Sequence, residues 1–191
     1  MWEKLTRFPG FGNVTPFIRN VFESTWQSFT VTFHNDQLFQ RFVEFQRNEP
    51  GTVAMCSFFD SNWLLTFVVA KQPHFAGQPE NVKVLWGYGL YPHRAGNFVA
   101  KPMTDCTGEE IFKELCGHVR ISQDQVKNVN CIPCVMPFVV SMFMPRLKED
   151  RPLPVPKNSK NIAFVSQFVE VPNDVVFTVE YSVRVAQTAV Y

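Results

Sequence analysis

Gln27-Ser28-Phe29-Thr30-Val31-Thr32-Phe33-His34, followed closely by Asp36-Gln37-Leu38-Phe39-Gln40-Arg41-Phe42-Val43-Glu44-Phe45-Gln46, is the stretch on which the fold turns. In the first half Phe29, Val31 and Phe33 alternate with polar residues, the period-two pattern of a strand with one buried face. In the second half Leu38, Phe39, Phe42, Val43 and Phe45 recur at the spacing of a helix stripe. A strand and a helix that each need a core, side by side in the chain, call for a sheet packed on helices.

The neighbouring segments extend this pattern. Segments 52–59 and 63–69 flank the polar turn Asp60-Ser61-Asn62 and read as an antiparallel hairpin. Segment 82–91 alternates again and belongs in the same sheet. Thr107-Gly108-Glu109-Glu110 is a capping box, with Thr107 as cap and Glu110 reaching back to it. The helix that follows should bury Ile111, Phe112, Leu115, Cys116 and Val119. Arg151-Pro152-Leu153-Pro154-Val155-Pro156 offers too few N–H groups for a central strand and reads as an extended crossover. Beyond it, 161–169 is expected to be a buried strand, lying apart from the first sheet. Asn173 or Asp174 then caps a helix with Val175, Val176, Val179, Val183, Ala186 and Val190 on its core face. The predicted fold class is α+β. An antiparallel or mixed sheet with helices spans 1–150, and a C-terminal strand–helix unit spans 151–191.

Composition excludes some functions. A net charge of +1 with 18% charged residues provides no field for nucleic acid. The 20 Phe, four Trp and four Tyr imply either an aromatic core or, in part, the wall of an apolar channel. In such a channel each buried CH₂ contributes about 0.8 kcal/mol. Met1-Trp2-Glu3-Lys4-Leu5-Thr6-Arg7 lacks the apolar run of a signal peptide, and five scattered cysteines do not suit a secreted disulfide framework. A cytoplasmic location is expected.

Motifs with chemistry are few. The glycines of Phe8-Pro9-Gly10-Phe11-Gly12 and Trp86-Gly87-Tyr88-Gly89 do not complete a GxGxxG fingerprint. Cys131-Ile132-Pro133-Cys134 has the spacing of a redox pair or half a zinc site. Cys106, Cys116 and His118 are not placed as a second ligand pair, so no metal is assigned, and the apolar neighbours favour buried structural cysteines. His34, His93 and His118 read as surface or cap residues. Arg146 and Arg151 read as surface ion-pair partners of Glu149 and Asp150.

A further set of phrases occurs in order along the chain. Among them are Asp60-Ser61-Asn62-Trp63-Leu64, Gln72-Pro73-His74-Phe75, Gln78-Pro79-Glu80-Asn81-Val82, Trp86-Gly87-Tyr88-Gly89-Leu90 and Phe143-Met144-Pro145-Arg146. Phe164-Val165-Ser166-Gln167-Phe168-Val169-Glu170 closes the set. Together they resemble the later part of the oleate hydratase (myosin-cross-reactive antigen) family. The resemblance implies part of an FAD-containing enzyme that adds water to the double bond of an unsaturated fatty acid such as oleate. It places 151–191 in a flavin-binding lobe, with Ser166, Gln167, Phe168, Glu170, Phe177 and Thr178 toward FAD. The family commonly has Gly where Ser166 stands. His74, with Gln72, is placed near the fatty-acid carboxylate, although some members carry Thr and Asn where this chain has Val68 and Ala70. The family's fingerprint, catalytic acid and tyrosine lie upstream of the matched part. No catalytic residue is therefore assigned here, and the chain alone is expected to be inactive and to bind FAD weakly. Peripheral membrane contact and a homodimer are compatible with the resemblance. The alternative is a non-catalytic remnant that binds lipid or protein.

Overall fold

A computed structural model describes residues 1–52, 55–157, 159–174 and 178–191. The chain forms two compact units, one of residues 25–137 and one that joins 1–24 to 138–191.

The first unit is built on a five-stranded antiparallel sheet. Its strands are β1 (Trp26–Phe33), β2 (Cys56–Ser57), β3 (Leu65–Val68), β4 (Lys83–Gly89) and β5 (Val129–Met136), in the order β2-β3-β4-β1-β5. The five α-helices of the described residues are α1 (Trp2–Leu5), α2 (Thr15–Ile18), α3 (Asp36–Gln46), α4 (Gly108–Val119) and α5 (Val179–Val190). The class is α+β, as the change of period implies. The hairpin forms through Cys56↔Phe67 and Ser57↔Thr66; Val53 and Ala54 of the expected first strand lie outside the described residues.

Helices α3 and α4 start where their caps dictate. The Asn35 side chain accepts from the N–H groups of Gln37 and Leu38. Thr107 and Glu110 bond reciprocally as a capping box. One face of β1 presents Phe29, Val31 and Phe33, all buried, to a core that includes Leu38, Phe39 and Phe42 of α3 and Ile111, Phe112 and Leu115 of α4. The Phe33 ring lies 5.6 Å from Phe39, 5.5 Å from Phe42 and 5.8 Å from Phe112. Here the aromatic load is core. Each such ring stabilises by about 1.5–3 kcal/mol relative to exposure. On the other face Trp26 stacks on Tyr88 at 5.1 Å and 6°.

Strand β5, which holds the Cys131–Cys134 motif, lies where the sequence reading assigns no element, and it carries Pro133. The register explains how Pro133 is tolerated. His34 N–H donates to Asn128 O at 3.0 Å, one step beyond Phe33↔Val129, so even-numbered residues of β1 exchange hydrogen bonds with β5. Phe29↔Pro133 is therefore a non-bonded pair, and the N–H that Pro133 lacks would have pointed off the sheet edge.

In the second unit the expected strand at 161–169 does not form. Phe164 N–H donates to Pro154 O at 2.8 Å and Glu170 N–H to Pro152 O at 2.9 Å. Proline has no N–H to return, so these bonds cannot extend into a ladder. The Tyr181 side chain supplies the remaining partners: its hydroxyl donates to Val169 O at 2.5 Å and accepts from Val171 N–H at 3.0 Å. The last helix also differs from expectation. Its N-cap position is Thr178, which makes no side-chain capping bond, and not Asn173 or Asp174; Asp174 instead pairs with Arg184. Tyr181 and Val185 point inward, while Val179, Val183 and Val190 are exposed. Val175 and Val176 lie outside the described residues. Once Tyr181 anchors the preceding segment, its direction sets the inward face of the helix.

Candidate functional site

In the first unit the candidate substrate residues sit on the loop between β3 and β4. Gln72 is fully engaged there. Its Nε2 donates to Ala70 O and Val84 O, both at 2.9 Å, while its Oε1 accepts from Val84 N–H at 3.1 Å and Gln78 Nε2 at 2.8 Å. Four bonds use both amide hydrogens and both lone pairs of the oxygen. Gln78 continues the network: Nε2 donates to Val82 O, and Oε1 accepts from the N–H groups of His74 and Phe75. His74 is exposed, with its ring 4.6 Å from that of Phe75. The two glutamines thus hold the loop in one shape and present the His74 imidazole to solvent.

In the second unit the residues assigned to FAD are dispersed along 166–178. Ser166 Oγ accepts from Phe168 N–H at 3.1 Å, a local turn. The Phe168 ring meets Phe17 edge-on at 5.5 Å and lies 6.3 Å from Trp2. Gln167 is half-buried. The hydrogen bond from the Thr178 hydroxyl is the first of the influences that lower the Glu180 carboxyl pKa. Phe177 lies outside the described residues. Glu170 borders an open cleft of about 650 Å³ whose lining mixes Arg7, Lys148, Arg151 and Lys157 with Glu149 and Asp150. Gly12, also on this cleft, has φ +72°, and a Cβ there would strike the Asp150 carbonyl. Its glycine therefore serves a close chain crossing.

The remaining candidates are structural. Three residues along a strand span about 10 Å, so Cys131 and Cys134 on β5 exceed the roughly 7 Å Cα limit of a disulfide. They also face opposite sides of the sheet. Burial pushes the Cys131 thiol up to about 12, whereas Cys134 is exposed, contrary to the expectation that both are buried. Arg151 is buried rather than a surface partner, and it donates to Met142 O at 3.0 Å. Burial, then Arg146 nearby, lowers its pKa. Among the described residues no group of three or more His, Cys, Asp or Glu side chains is placed to hold a metal ion.

Periodicity missed a buried carboxylate on α4. Glu114, fully enclosed, accepts from the backbone N–H groups of Asn97 at 2.6 Å, Phe98 at 2.8 Å and Val99 at 2.8 Å. His118 Nε2 lies 3.4 Å from it, and the His118 side chain is only 4% exposed, not at the surface. Desolvation pushes the Glu114 carboxyl up, but His118 and the three backbone donors together hold it below the usual glutamate value. An acidic residue inside an apolar helix stripe was the one available signal.

Fold and site define an α+β protein that presents a polar loop, a cleft of mixed charge and an aromatic cluster, without a glycine-fingerprint nucleotide fold in the described part. The chain belongs to the MCRA family, whose profile matches residues 1–191. It is 36% identical over 206 aligned positions to an oleate hydratase of Streptococcus pyogenes and 37% identical over 213 to a linoleate hydratase of Lactiplantibacillus plantarum. Both alignments cover 100% of this chain but only 35% and 37% of those relatives, so it spans about a third of their length. Among the described residues no helix is long and apolar enough to cross a membrane.

Proposed function

We propose that this chain is part of an FAD-containing fatty-acid hydratase that adds water to the double bond of an unsaturated fatty acid such as oleate. The observation that carries this reading is the match along the whole chain to two proteins named as oleate and linoleate hydratases. Residues 1–150 serve the substrate side and 151–191 the flavin side. His74 meets the fatty-acid carboxylate with an exposed imidazole. Gln72 supports that role by holding the loop. Ser166, Gln167, Phe168, Glu170, Phe177 and Thr178 face FAD. Of these, Glu170 adjoins the mixed-charge cleft, in which Arg7, Lys148 and Lys157 are the groups that would pair with a pyrophosphate. In that setting FAD supplies a structural or electrostatic element, since hydration consumes no electrons. No acid or tyrosine of this chain is assigned to the chemistry, so alone it does not turn over and binds FAD only weakly. A cytoplasmic body with peripheral membrane contact, assembled as a homodimer, accords with this role.

A segment exchange tests the reading. This chain replaces the aligned third of the Streptococcus pyogenes oleate hydratase, and hydroxylated product from oleate is followed by mass spectrometry. Retained hydration is expected. A chimera that folds and binds FAD yet makes no product would overturn the assignment. In an active chimera, His74→Ala should raise KM for oleate, and Thr178→Ala should weaken FAD binding. Equal effects of both variants on both ligands would remove the residue roles.

A further inference from the structure

The loop between β3 and β4 is ordered more than the fold requires. Residues 73–77 are exposed, and none of Gln72, His74, Phe75 and Gln78 belongs to the hydrophobic core of the first unit. Water satisfies the backbone of such a surface loop as well as protein does. Here the amide of Gln78 is committed entirely to its own loop. Its Oε1 accepts from His74 N–H at 2.8 Å and Phe75 N–H at 3.2 Å, while Nε2 donates to Gln72 Oε1 at 2.8 Å and Val82 O at 2.7 Å. The backbone is shaped to bring that amide round. Gln78 N–H donates to Phe75 O at 3.2 Å, closing a turn whose third residue, Gly77, has φ +74°. Glycine adopts a positive φ there without strain. A Cβ on Gly77 would meet nothing within 4 Å, so the dihedral alone calls for glycine.

We infer that Gln78 is a positioning residue for carboxylate recognition, acting through the backbone of His74. With both lone pairs of its oxygen on the N–H groups of His74 and Phe75, it fixes two consecutive residues. It thereby sets their rings, which sit 4.6 Å apart at 65°. The imidazole is held before a ligand arrives, which removes the ordering cost that binding to a loose loop carries. Gln72 has no donor or acceptor left for a ligand. It ties Gln78 to β4 through Val84, and the His74 imidazole is the polar group that the loop presents. The inference rests on the fatty-acid reading above and deepens it, because it names the residue that sets how tightly the His74 contact forms.

The segment-exchange chimera, with FAD bound, provides the test. Gln78→Ala should raise KM for oleate about tenfold, the scale of one lost hydrogen bond, and the effect should fall on KM rather than kcat. A residue that only supports the fold acts whatever side chain stands at position 74. In a His74→Ala background Gln78→Ala should therefore raise KM no further. Gly77→Ala, which keeps the Gln78 side chain but strains the turn, should reproduce the rise. In the chain itself, hydrogen exchange followed by NMR should find the His74 and Phe75 amides protected, and Gln78→Ala should free both while the amides of α3 and α4 stay protected. An unchanged KM in Gln78→Ala, or a rise that multiplies independently with that of His74→Ala, would overturn the inference while the activity of the chimera upholds the hydratase reading. Fast exchange of both amides in the native chain would overturn it as well. A chimera that folds and binds FAD yet makes no product removes the hydratase reading, and this inference with it.

Discussion

Glu114 shows how one residue can organise a loop that no periodic pattern predicts. Three consecutive N–H groups, from Asn97 to Val99, converge on its carboxylate, and His118 approaches from the next turn of α4. The His118 ring is sandwiched by aromatics, with Phe58 at 5.0 Å and the edge of Phe98 at 5.1 Å. Removing one side of such a buried arrangement leaves the other without a partner, so Glu114→Ala should cost about 3–5 kcal/mol, measured by urea denaturation. Its pH dependence follows from the lowered pKa. The folded carboxyl titrates below its ordinary value of 4.5, so its stabilisation is complete above that value. The contribution is lost as pH falls through the folded value. Glu114→Gln should therefore flatten the acid limb of the stability profile. An unchanged limb would show that the carboxylate is not ionised in the fold. Gln72 is a second case at this scale. The family resemblance places it near the fatty-acid carboxylate, and its four hydrogen bonds became visible only when Ala70, Gln78 and Val84 were brought round it.

At the scale of elements, local patterns succeeded where a single face was buried and failed where a distant segment supplied the partners. Helices α3 and α4 begin at their caps and bury most of the predicted stripes, because caps and amphipathic spacing are local. Strand β5 carries a proline that is harmless only at a sheet edge, and edge position is a property of strand order, not of local pattern. Segment 161–169 looked like a strand, yet the chain beside it is proline-rich and cannot complete a ladder. The junction of α4 and β5 yields a prediction. A Cβ on Gly108 would collide with the carbonyl of Cys131, backbone against backbone. Gly108→Ala should lower stability by roughly 1–3 kcal/mol, the usual penalty of overpacking. It does so even though alanine is the better helix former. A thermal melt equal to or above that of the native chain would mean that β5 shifts freely.

At the scale of the whole molecule, the main hydrophobic core lies entirely within 25–137, since all of its buried members fall between Phe29 and Ile121. An excised 25–137 polypeptide should therefore fold by itself, with a cooperative melt and mixed α/β circular dichroism. A non-cooperative profile would show that this core is insufficient alone. The other unit is discontinuous in sequence, and its small core of Val169, Tyr181 and Val185 depends on closing a long loop. What the sequence by itself determined was local or statistical: the stripes of α3 and α4, the alternation of β1 and β4, the Thr107 capping box, the α+β class, and the ordered phrases that mark the family. Those signals reside in a few neighbouring residues or in word order, and they need no coordinates. Tertiary structure alone decided the partners: the prolines that deny 161–169 a ladder, the rotation of α5 onto Tyr181, the burial of Glu114 and Arg151, and the meeting of Trp2 and Phe17 with Phe168. Hydrogen bonds and ring contacts between residues far apart in sequence leave no periodic trace, because each is satisfied by geometry that only the folded chain brings together.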